Sequence, residues 1–523
     1  MRRRPVALVR IIVHPWTRYV LCWLAALGLA WLEYHLASHM YDSPHTGDPT
    51  ADRRDANFGH ILIDYGGQWL TARLVAVGRG HELYSKQAQR EVLEAGYPRA
   101  DEPPAAKEHD ADSLLSWLVE VPPDEPGGPP VSGPLYPPTH AVLFAPLGRL
   151  PPRESYWAAQ VLFLALGWVA GLAISGISRG RIWWPVATMF AMIFPGFGPA
   201  LHLAQNSALS AAIVLVGWWL VARGWDAAGG VVWGLLAYKP VWAVAFVIVP
   251  LLTRRWRMLA GMLVGGLAFV LATLPVVGVR VWWDWYRIGQ AAADVYRVDV
   301  NWIFLSRDLV GIPRRWLLNF DLPQSERDRL AATVAGLMLW AGVFVGTAAV
   351  ALLRPRAVRP AGGYGAAFVT LGAWASCFHF IYYDSLLALL PVTLLLTEPR
   401  RFIRPIILAA TPAPPELAAY YDPRPLAGLP PPTAVPAGPR TTAVLNSFVL
   451  TAVALLLFVE QTLPNLNARA TVSVGMIATG RSVPNTFTFS TGQHGTPWDT
   501  FVLLGLWAYC GVRVLMGTDP ADQ

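Results

Sequence analysis

The stretch WGLLAYKPVWAVAFVIVPLLTRRWR, residues 233–257, decides the fold class of this chain. It covers most of two uncharged apolar runs, 227–238 and 240–252, with Lys239 between them and a basic cluster after them. Apolar runs that alternate with short basic clusters are typical of membrane spans and their cytoplasmic ends. At 1.5 Å per residue each run covers only about 18–20 Å of a hydrocarbon core that is about 30 Å thick. We therefore predict a tight helical hairpin that does not fully cross the bilayer.

The composition is that of a membrane protein throughout. Of the 523 residues, 54% are hydrophobic and 14% are charged, whereas soluble domains carry about 25% charged residues. The 24 Trp and 17 Tyr residues suit two aromatic interface belts. The net charge of +7 comes from short basic clusters between apolar runs, which argues against nucleic-acid binding. Cys22, Cys377 and Cys510 lie in apolar segments, so we interpret them as packing residues without a disulfide or a metal site.

Apolar segments occur about twelve times, which predicts an all-α, polytopic integral membrane protein built as one membrane domain over 1–523. The segments are 19–36, 157–176, 182–200, 207–222, 227–238, 240–252, 258–277, 330–352, 363–378, 381–397, 443–460 and 499–516. The first lacks a small-residue cleavage site, so we predict an uncleaved anchor with a cytoplasmic N-terminus. HAVLFAPLGRL, residues 140–150, is too short to cross the bilayer and is predicted to be interfacial or re-entrant.

The positive-inside rule predicts the orientation of the spans. With the N-terminus in the cytoplasm, every short basic loop falls on the cytoplasmic side. The long loops 39–155, 278–329 and 461–498 then face outward as structured non-cytoplasmic loops, and the Pro-rich linker 398–440 lies in the cytoplasm. Inside the first loop, QWLTARLVAVG and SKQAQREVLEAG predict short helices that end at glycine. The pattern indicates no role for 441–523.

Asp64 is the candidate catalytic residue in the first loop, within GHILIDYGGQWLTARL (59–74). One interpretation is a helix N-cap or a solvated loop acid. Its neighbours are apolar or aromatic, however, which favours a position against the membrane-embedded body. Partial burial would raise the pKa of the carboxyl towards the range of a general base.

Lys239 is the candidate anion-binding residue, because it alone among three lysines lies within apolar sequence. An ionisable residue at that depth is energetically expensive and indicates function. Pro240 interrupts the helix directly after it. The side chain either extends to the interface or holds its ammonium at a membrane-level cavity to bind a phosphate.

Three polar side chains share one face at the start of a later helix, HLAQNSALSAAIVL. His202, Gln205 and Asn206 follow the spacing i, i+3, i+4. They are either a capped helix start near the headgroups or the hydrogen-bonding groups that recognise a sugar or a phosphate.

Further candidates come from two outer segments. WWDWYRIGQAAADVYRVDVNWIFLSRDLVG alternates arginines with aromatic residues, as an interfacial helix or a set of phosphate-binding side chains would. CFHFIYYDSLLALLP places polar side chains between two apolar segments, and a histidine stands similarly in LYPPTHAVLFAP. The residues singled out are Arg287, Arg297, Asn301, Ser306, Arg307, His379, Tyr382, Tyr383, Asp384 and His140.

Several motifs in order resemble the polyprenol-phosphate-sugar-dependent glycosyltransferases of family 87, within the GT-C superfamily. These are DYGGQWLTAR with a later LY (64–84), LYPPTHAVLFAPLGRLP with Tyr136 and His140, QNS (205–207), and AGGVVWGLLAYKPVWAVAFVIVPLLTRRWR. The resemblance covers about 15–400 and implies a GT-C-like fold. It also implies a multi-pass protein of the cell (plasma) membrane.

The activity that this resemblance implies is transfer of a hexose, with mannose expected, from a polyprenyl-phosphate donor. The acceptor is a hydroxyl of a lipid or glycan on the non-cytoplasmic side. The resemblance implies inversion at the anomeric carbon without a metal or cofactor. It gives Asp64 the role of general base, while Lys239 and an arginine from 287–307 would stabilise the leaving polyprenyl phosphate.

Two other classes remain open from the residues alone. A transporter or flippase of a lipid-linked or anionic substrate would place polar sites near the bilayer midplane and often shows inverted repeats. No matched repeat is evident, and most polar candidates fall at the outer ends of spans. A membrane scaffold without catalysis would leave the loop chemistry without a purpose.

Overall fold

The computed structural model describes residues 15–38, 65–96, 136–298, 300–319, 322, 330–397, 449–457 and 497–517. The elements within these ranges are helices, and the only extended pairing there is one isolated antiparallel bridge between Ser306 and Ile381. The predicted all-α class is thereby confirmed. Asp64, all of 398–440 and most of 461–498 lie outside the described residues.

Eighteen α-helices, labelled α1 to α18, follow one another in these ranges. They are α1 Pro15–Ser38, α2 Tyr65–Ala76, α3 Lys86–Gly96, α4 Pro138–Gly148, α5 Pro152–Ile177, α6 Trp184–Ile193, α7 Phe197–His202, α8 Ser207–Ala222, α9 Asp226–Gly234, α10 Pro240–Leu252, α11 Trp256–Tyr296, α12 Val300–Leu305, α13 Arg314–Leu317, α14 Leu330–Leu353, α15 Pro355–Val358, α16 Gly363–Ala375, α17 Leu389–Leu396 and α18 Trp498–Leu515. Short 3₁₀ turns occur at Gly80–Glu82, Leu235–Tyr238 and Tyr382–Ala388. Residues 449–457 are helical as well.

Among the described residues, five helices are long and apolar enough to cross a membrane. They are Trp16–Ser38, Pro152–Ile177, Trp256–Asp294, Leu330–Leu353 and Trp498–Leu515. Shorter apolar helices lie at Trp184–Ile193, Ser207–Ala222, Pro240–Leu252 and Tyr382–Leu396. Helical residues thus occur within each of the twelve predicted apolar segments, but twelve crossings are not confirmed. The chain is a multi-pass membrane protein.

The short elements of the first long loop follow the sequence prediction. Helices α2 and α3 occupy the two predicted segments, and Gly78 takes a φ of +82° two residues after the end of α2. A backbone in this left-handed region favours glycine, which explains the stop signal. The apolar segment 140–150 forms α4, an 11-residue helix, about 16 Å long and shorter than the hydrocarbon core.

The long helical run α11 breaks at residue 278, the position at which the second long loop is predicted to begin. Two helical pieces meet at Gly278, whose backbone, with φ +76° and ψ +167°, is not helical. A glycine can adopt this conformation and so redirect the chain. Trp283 and Tyr286 after the bend are about half exposed. The apolar span therefore continues into an aromatic segment of the kind found at membrane interfaces.

The packing between α9 and α11 depends on glycines at the helix contact. A Cβ added at Gly230 would lie 2.0 Å from the carbonyl oxygen of Met258, and one at Gly261 would lie 2.2 Å from that of Ala227. Small residues of this kind let two helix backbones approach closely in a membrane. The 3₁₀ turn Leu235–Tyr238 and then Lys239 follow directly after α9 and this contact.

The most buried part of the molecule is formed by α8, α16 and α17 with their neighbours. Every residue of α16 and α17 is buried, as is most of α8. Polar side chains that are buried at the ends of these helices need partners inside the protein. Those partners form the candidate site.

Candidate functional site

Lys239 forms a buried ion pair with Asp384. Its Nζ lies 2.7 Å and 2.9 Å from the two carboxylate oxygens, and the side chains are 12% and 2% exposed. Lys239 is the last residue before α10, whose first residue is Pro240. Because proline is accepted at a helix start, the chain can turn there while presenting the lysine side chain to the 382–388 turn. The ammonium is therefore paired inside the protein and does not extend freely to the interface.

Asp384 is held on more than one side. Ser207 Oγ, at the start of α8, donates a hydrogen bond of 2.6 Å to the same carboxylate. The Lys239 ammonium also lies 5.5 Å from the ring centre of Tyr383, within the range of a cation–π contact. Three segments distant in sequence thus fix one charge pair.

A second set of polar residues joins α2, α4 and the segment before α8. Tyr136 OH donates to Gln205 Oε1 at 2.7 Å, and the Tyr136 ring stacks on His140 with centres 4.2 Å apart. His140 Nε2 lies 3.1 Å from Gln68 Oε1, and Gln68 Nε2 donates to the Ala204 carbonyl at 3.2 Å. The first loop is thereby tied to the predicted polar helix start.

Tyr238 connects the two sets. Its hydroxyl donates to the Asn206 carbonyl at 2.9 Å and shares a hydrogen bond with Ser210. Its ring centre is 6.1 Å from that of His140, and the next residue in the chain is Lys239. We call the two sets together the Lys239 cluster: Lys239, Asp384, Ser207, Tyr238, Ser210, Asn206, Gln205, Tyr136, His140 and Gln68.

Several buried polar atoms of this region have no hydrogen-bond partner among the described residues. They are His140 Nδ1, both amide atoms of Asn206, and His202 Nε2. Asn206 and His140 are fully buried. Because buried polar groups in native proteins are nearly always hydrogen-bonded, such atoms point to a polar ligand or to water.

Burial determines the protonation state of His140. Removal from water, and to a smaller extent the charge of Lys239, lowers the pKa of His140 to about 3. The imidazole is therefore neutral near pH 7 and offers one donor and one acceptor nitrogen. Such a ring can hydrogen-bond a hydroxyl but does not supply positive charge for a phosphate.

Three further predicted site residues, His202, Arg297 and Asn301, are not members of the Lys239 cluster. Tyr156 OH donates to the His202 carbonyl at 2.6 Å, which fixes the backbone of α7. Arg297, directly after the end of α11, pairs with Asp294 in the last turn of that helix. Asn301 is in α12, and its side chain is outside the described part of the chain.

His379 occupies a neighbouring site with Asp308. Its ring stacks on Tyr296 with centres 4.5 Å apart, and its Nδ1 lies 3.8 Å from Asp308 Oδ2. The side chain is 37% exposed. A separation of 3.8 Å is too long for a hydrogen bond, so this pair is an electrostatic contact only.

Two further arginines from the second long loop have structural contacts. Arg287 lies over the Trp283 ring at 5.5 Å on the same helix. Arg307 is 4% exposed and pairs with Asp499 of α18, with Nε 2.9 Å from Oδ1. Arg307 is thus engaged by a carboxylate that sequence analysis did not single out.

Gln68, Tyr238 and Asp499 belong to this region although they were not predicted as site residues, and Asp384 had no predicted partner. Gln68 follows Asp64 by four residues within the motif already quoted, and Tyr238 directly precedes Lys239. These two positions carried a local signal. Asp384 and Asp499 pair with residues 145 and 192 positions away, so no local pattern could identify their partners.

The molecule is an all-helical, multi-pass membrane protein with a buried polar cluster at the ends of several helices. A family model described as glycosyltransferase family 87 matches residues 135–403, more than half of the chain. The chain belongs to glycosyltransferase family 87 and is a membrane glycosyltransferase. No curated protein and no solved structure matches it.

Most of the Lys239 cluster lies inside the matched residues, whereas Asp64 and Gln68 precede them and Asp499 follows them. The predicted resemblance is confirmed at the level of family and enzyme class. The assignment of roles to single residues stays a prediction.

Proposed function

We propose that this enzyme transfers a hexose from a polyprenyl-phosphate donor to a hydroxyl of a lipid or glycan acceptor. Mannose is the first candidate sugar. The reaction takes place on the non-cytoplasmic side of the plasma membrane, inverts the anomeric carbon and uses no cofactor. Membership of the family supports sugar transfer within a membrane, and the Lys239–Asp384 pair is the observation that supports an anionic donor.

The chemistry of the Lys239 ammonium fits a phosphate that lies at membrane level. An ammonium has three donors, and Asp384 accepts two of them at 2.7 and 2.9 Å. Asp384 balances the charge of the lysine in a buried place and leaves one donor for a second anion. A phosphate oxygen there would receive a charge-assisted hydrogen bond, which is roughly twice as strong as a neutral one.

The unpartnered polar atoms suit a ligand rich in hydroxyl groups. Within the described ranges, His140 Nδ1 and the Asn206 amide are buried without partners, and each can bond a sugar hydroxyl. Both residues are connected to Lys239 through Tyr238. A donor with its phosphate at Lys239 and its sugar towards Asn206 would satisfy these atoms together.

Asp64 is our candidate for the general base. Four residues separate it from Gln68, which contacts His140, so the chain can place the two Cα atoms at most about 14 Å apart. The acceptor oxygen attacks the anomeric carbon while its proton passes to the Asp64 carboxylate. The bond between that carbon and the phosphate oxygen breaks, and polyprenyl phosphate leaves with the electron pair. Lys239 stabilises the charge that develops on the leaving phosphate.

A panel of radiolabelled donors tests the proposal. Purified protein in lipid nanodiscs is incubated with polyprenyl-phosphate mannose, polyprenyl-phosphate glucose, a polyprenyl-diphosphate sugar and nucleotide sugars, and labelled product is separated from donor. We expect consumption of one polyprenyl-monophosphate sugar. Consumption of nucleotide sugars alone contradicts the donor assignment. Movement of an intact lipid-linked donor across the bilayer without sugar transfer would favour the transporter or flippase alternative.

A further inference from the structure

The last described helix, α18, reaches the Lys239 cluster although it lies outside the residues that match the family model. Its second residue is Asp499, which is 8% exposed. The two carboxylate oxygens of Asp499 lie 2.9 and 3.1 Å from Arg307 Nε. One of them also accepts a hydrogen bond of 2.7 Å from Ser385 Oγ. Ser385 follows Asp384, the partner of Lys239.

Arg307 holds the segment 300–319 on the other side of this contact. Its Nη1 points at the carbonyl groups of Phe304, Leu305 and Ser306 at 3.2–3.3 Å. Thr500 Oγ1 returns a hydrogen bond of 3.1 Å to the Arg307 carbonyl. Arg307 thus ties Asp499 to the backbone of 304–306 through a buried, hydrogen-bonded ion pair.

The segment 380–385 is held from two sides as a result. On one side Arg307 N donates to the Phe380 carbonyl at 3.0 Å, Ser306 pairs with Ile381, and Asp499 accepts from Ser385. On the other side Lys239 and Ser207 bind the Asp384 carboxylate. The position of Asp384, and with it that of the Lys239 ammonium, depends on both sides.

We propose that Asp499 is a positioning residue for the donor phosphate site, which it reaches through Ser385 and Asp384. This inference rests on the proposed function of Lys239. A displacement of about 1 Å at a reacting group can cost about a hundredfold in rate. Helix α18 therefore belongs to the functional unit of the enzyme and is not an appended membrane anchor.

The contact can be interrupted without exposing a buried charge. Ser385→Ala removes the hydrogen bond to Asp499 but leaves the Arg307–Asp499 ion pair in place. We expect the KM for the lipid-linked donor to rise, or kcat to fall, by about tenfold, a tenth of the loss that full misplacement produces. The melting temperature should change little.

Thr347→Val is the matched control. Thr347 Oγ1 accepts a hydrogen bond of 3.0 Å from Trp507 Nε1 of the same helix α18, in the contact with α14. This variant removes a contact between α18 and α14 at a point on α18 that is distant from Asp499. It should lower the melting temperature and leave donor KM and kcat unchanged.

A double-mutant cycle separates positioning from general damage. In a Lys239→Met/Asp384→Asn background, Ser385→Ala should have no further effect on donor KM or kcat, because the groups that it positions are gone. Independent, multiplicative effects would overturn the inference. So would unchanged kinetics in Ser385→Ala itself.

Binding of a short-chain polyprenyl phosphate, measured by calorimetry, distinguishes failure of this inference from failure of the proposed function. Wild-type protein that binds this probe but transfers no sugar overturns the proposed reaction only. In that case a tenfold weaker Kd in Ser385→Ala still supports the positioning role, and an unchanged Kd overturns it. Wild-type protein that does not bind the probe overturns both.

Discussion

Lys239 and Asp384 carry opposite charges at a place with little solvent, and each depends on the other. Removing one partner of a buried pair leaves an uncompensated charge, which typically costs about 3–5 kcal/mol. The sequence singled out Lys239 because it lies within apolar residues, and the structure buries most of its side chain. It could not predict the carboxylate, because the partner lies 145 residues away.

The phosphate role of Lys239 is tested by a pair of variants. Lys239→Met alone should lower the melting temperature, because Asp384 remains buried and unpaired. Lys239→Met/Asp384→Asn should recover most of the stability, since no lone charge remains. Turnover should stay low and donor KM high in both. Lys239→Arg should restore only part of the turnover, because a planar guanidinium does not reproduce the geometry of a compact ammonium.

Thermal unfolding and donor kinetics, measured on the same preparations, show whether Lys239 binds the donor phosphate or has a structural role only. Wild-type kinetics in the double variant would show that the pair is structural only and that the phosphate binds elsewhere.

The base assignment is tested by Asp64→Asn. This change keeps the size of the side chain and removes the base, which typically contributes about 10²–10⁴-fold to the rate. We expect normal expression, donor binding close to wild type, and sugar transfer at least about a hundredfold slower. Asp64→Glu should keep a little activity.

Asp55→Asn, nine residues earlier in a more polar stretch, is the control and should be nearly silent. If Asp55→Asn loses activity while Asp64→Asn keeps full activity, the assignment of Asp64 is wrong and Asp55 becomes the candidate base.

The neutral state of His140 predicts how stability depends on pH. The folded protein binds the imidazole proton only near pH 3, whereas the unfolded chain binds it near 6.5. Between these values the unfolded state holds more protons, so the free energy of unfolding falls as the pH falls from about 6.5. Burial also lowers the pKa of His202, which adds a contribution of the same sign.

Melting temperatures from pH 7.5 to 4.5 check this dependence. The decrease should be smaller in His140→Gln than in the wild type. His81→Gln, at a side chain that is 67% exposed, should leave the decrease unchanged. An equal decrease in His140→Gln and wild type would mean that other groups account for the acid sensitivity.

At the scale of single elements, local pattern was a good guide where a helix has its own start and stop signals. Helices α2 and α3 end near glycine as predicted. At Gly278 the backbone also leaves the helical region, but a second helical piece follows directly. A glycine marks a possible change of direction, and tertiary packing decides whether the helix ends there.

The contact between α9 and α11 gives a prediction for glycine variants. Gly230→Ala places a methyl group 2.0 Å from the Met258 carbonyl oxygen, so the helices must separate. Overpacking of this kind costs about 1–3 kcal/mol. Gly342→Ala in α14 meets nothing within 4 Å and should be stabilising by about 0.5–1 kcal/mol, because alanine favours a helix.

Thermal unfolding in one detergent compares the two glycine variants directly. A melting temperature for Gly230→Ala that matches or exceeds that of Gly342→Ala would contradict the close packing of α9 on α11.

At the scale of the whole molecule, the sequence predicted an all-helical membrane protein correctly, and the predicted number of about twelve crossings is not confirmed. Apolar segments such as 182–200 divide into shorter helices, α6 and α7, at the Pro195–Gly196 turn. Hydropathy measures apolar length and is insensitive to such breaks. The assembly of the Lys239 cluster from α2, α4, α8, α10 and the 382–388 turn is a property of the packed molecule.

The predicted orientation can be checked by cysteine labelling. Cys377 and Cys510 are buried, so a Cys22→Ala background should give a low signal with an impermeant reagent. Asp64→Cys and Pro425→Cys should then be labelled from opposite sides of the membrane. Labelling of both from the same side would contradict the topology and the non-cytoplasmic placement of the reaction.

The bend at Gly278 also determines how deep the enzyme sits in its membrane. A straight helix of 41 residues would be about 60 Å long, twice the hydrocarbon thickness. The bend lets the first part cross the bilayer while the second part carries exposed Trp283 and Tyr286, whose rings prefer the headgroup level. We therefore expect the second part to hold the protein at a fixed depth in the membrane. Because α9 packs on the first part, we expect that depth also to fix the level of Lys239 relative to the lipid phosphates.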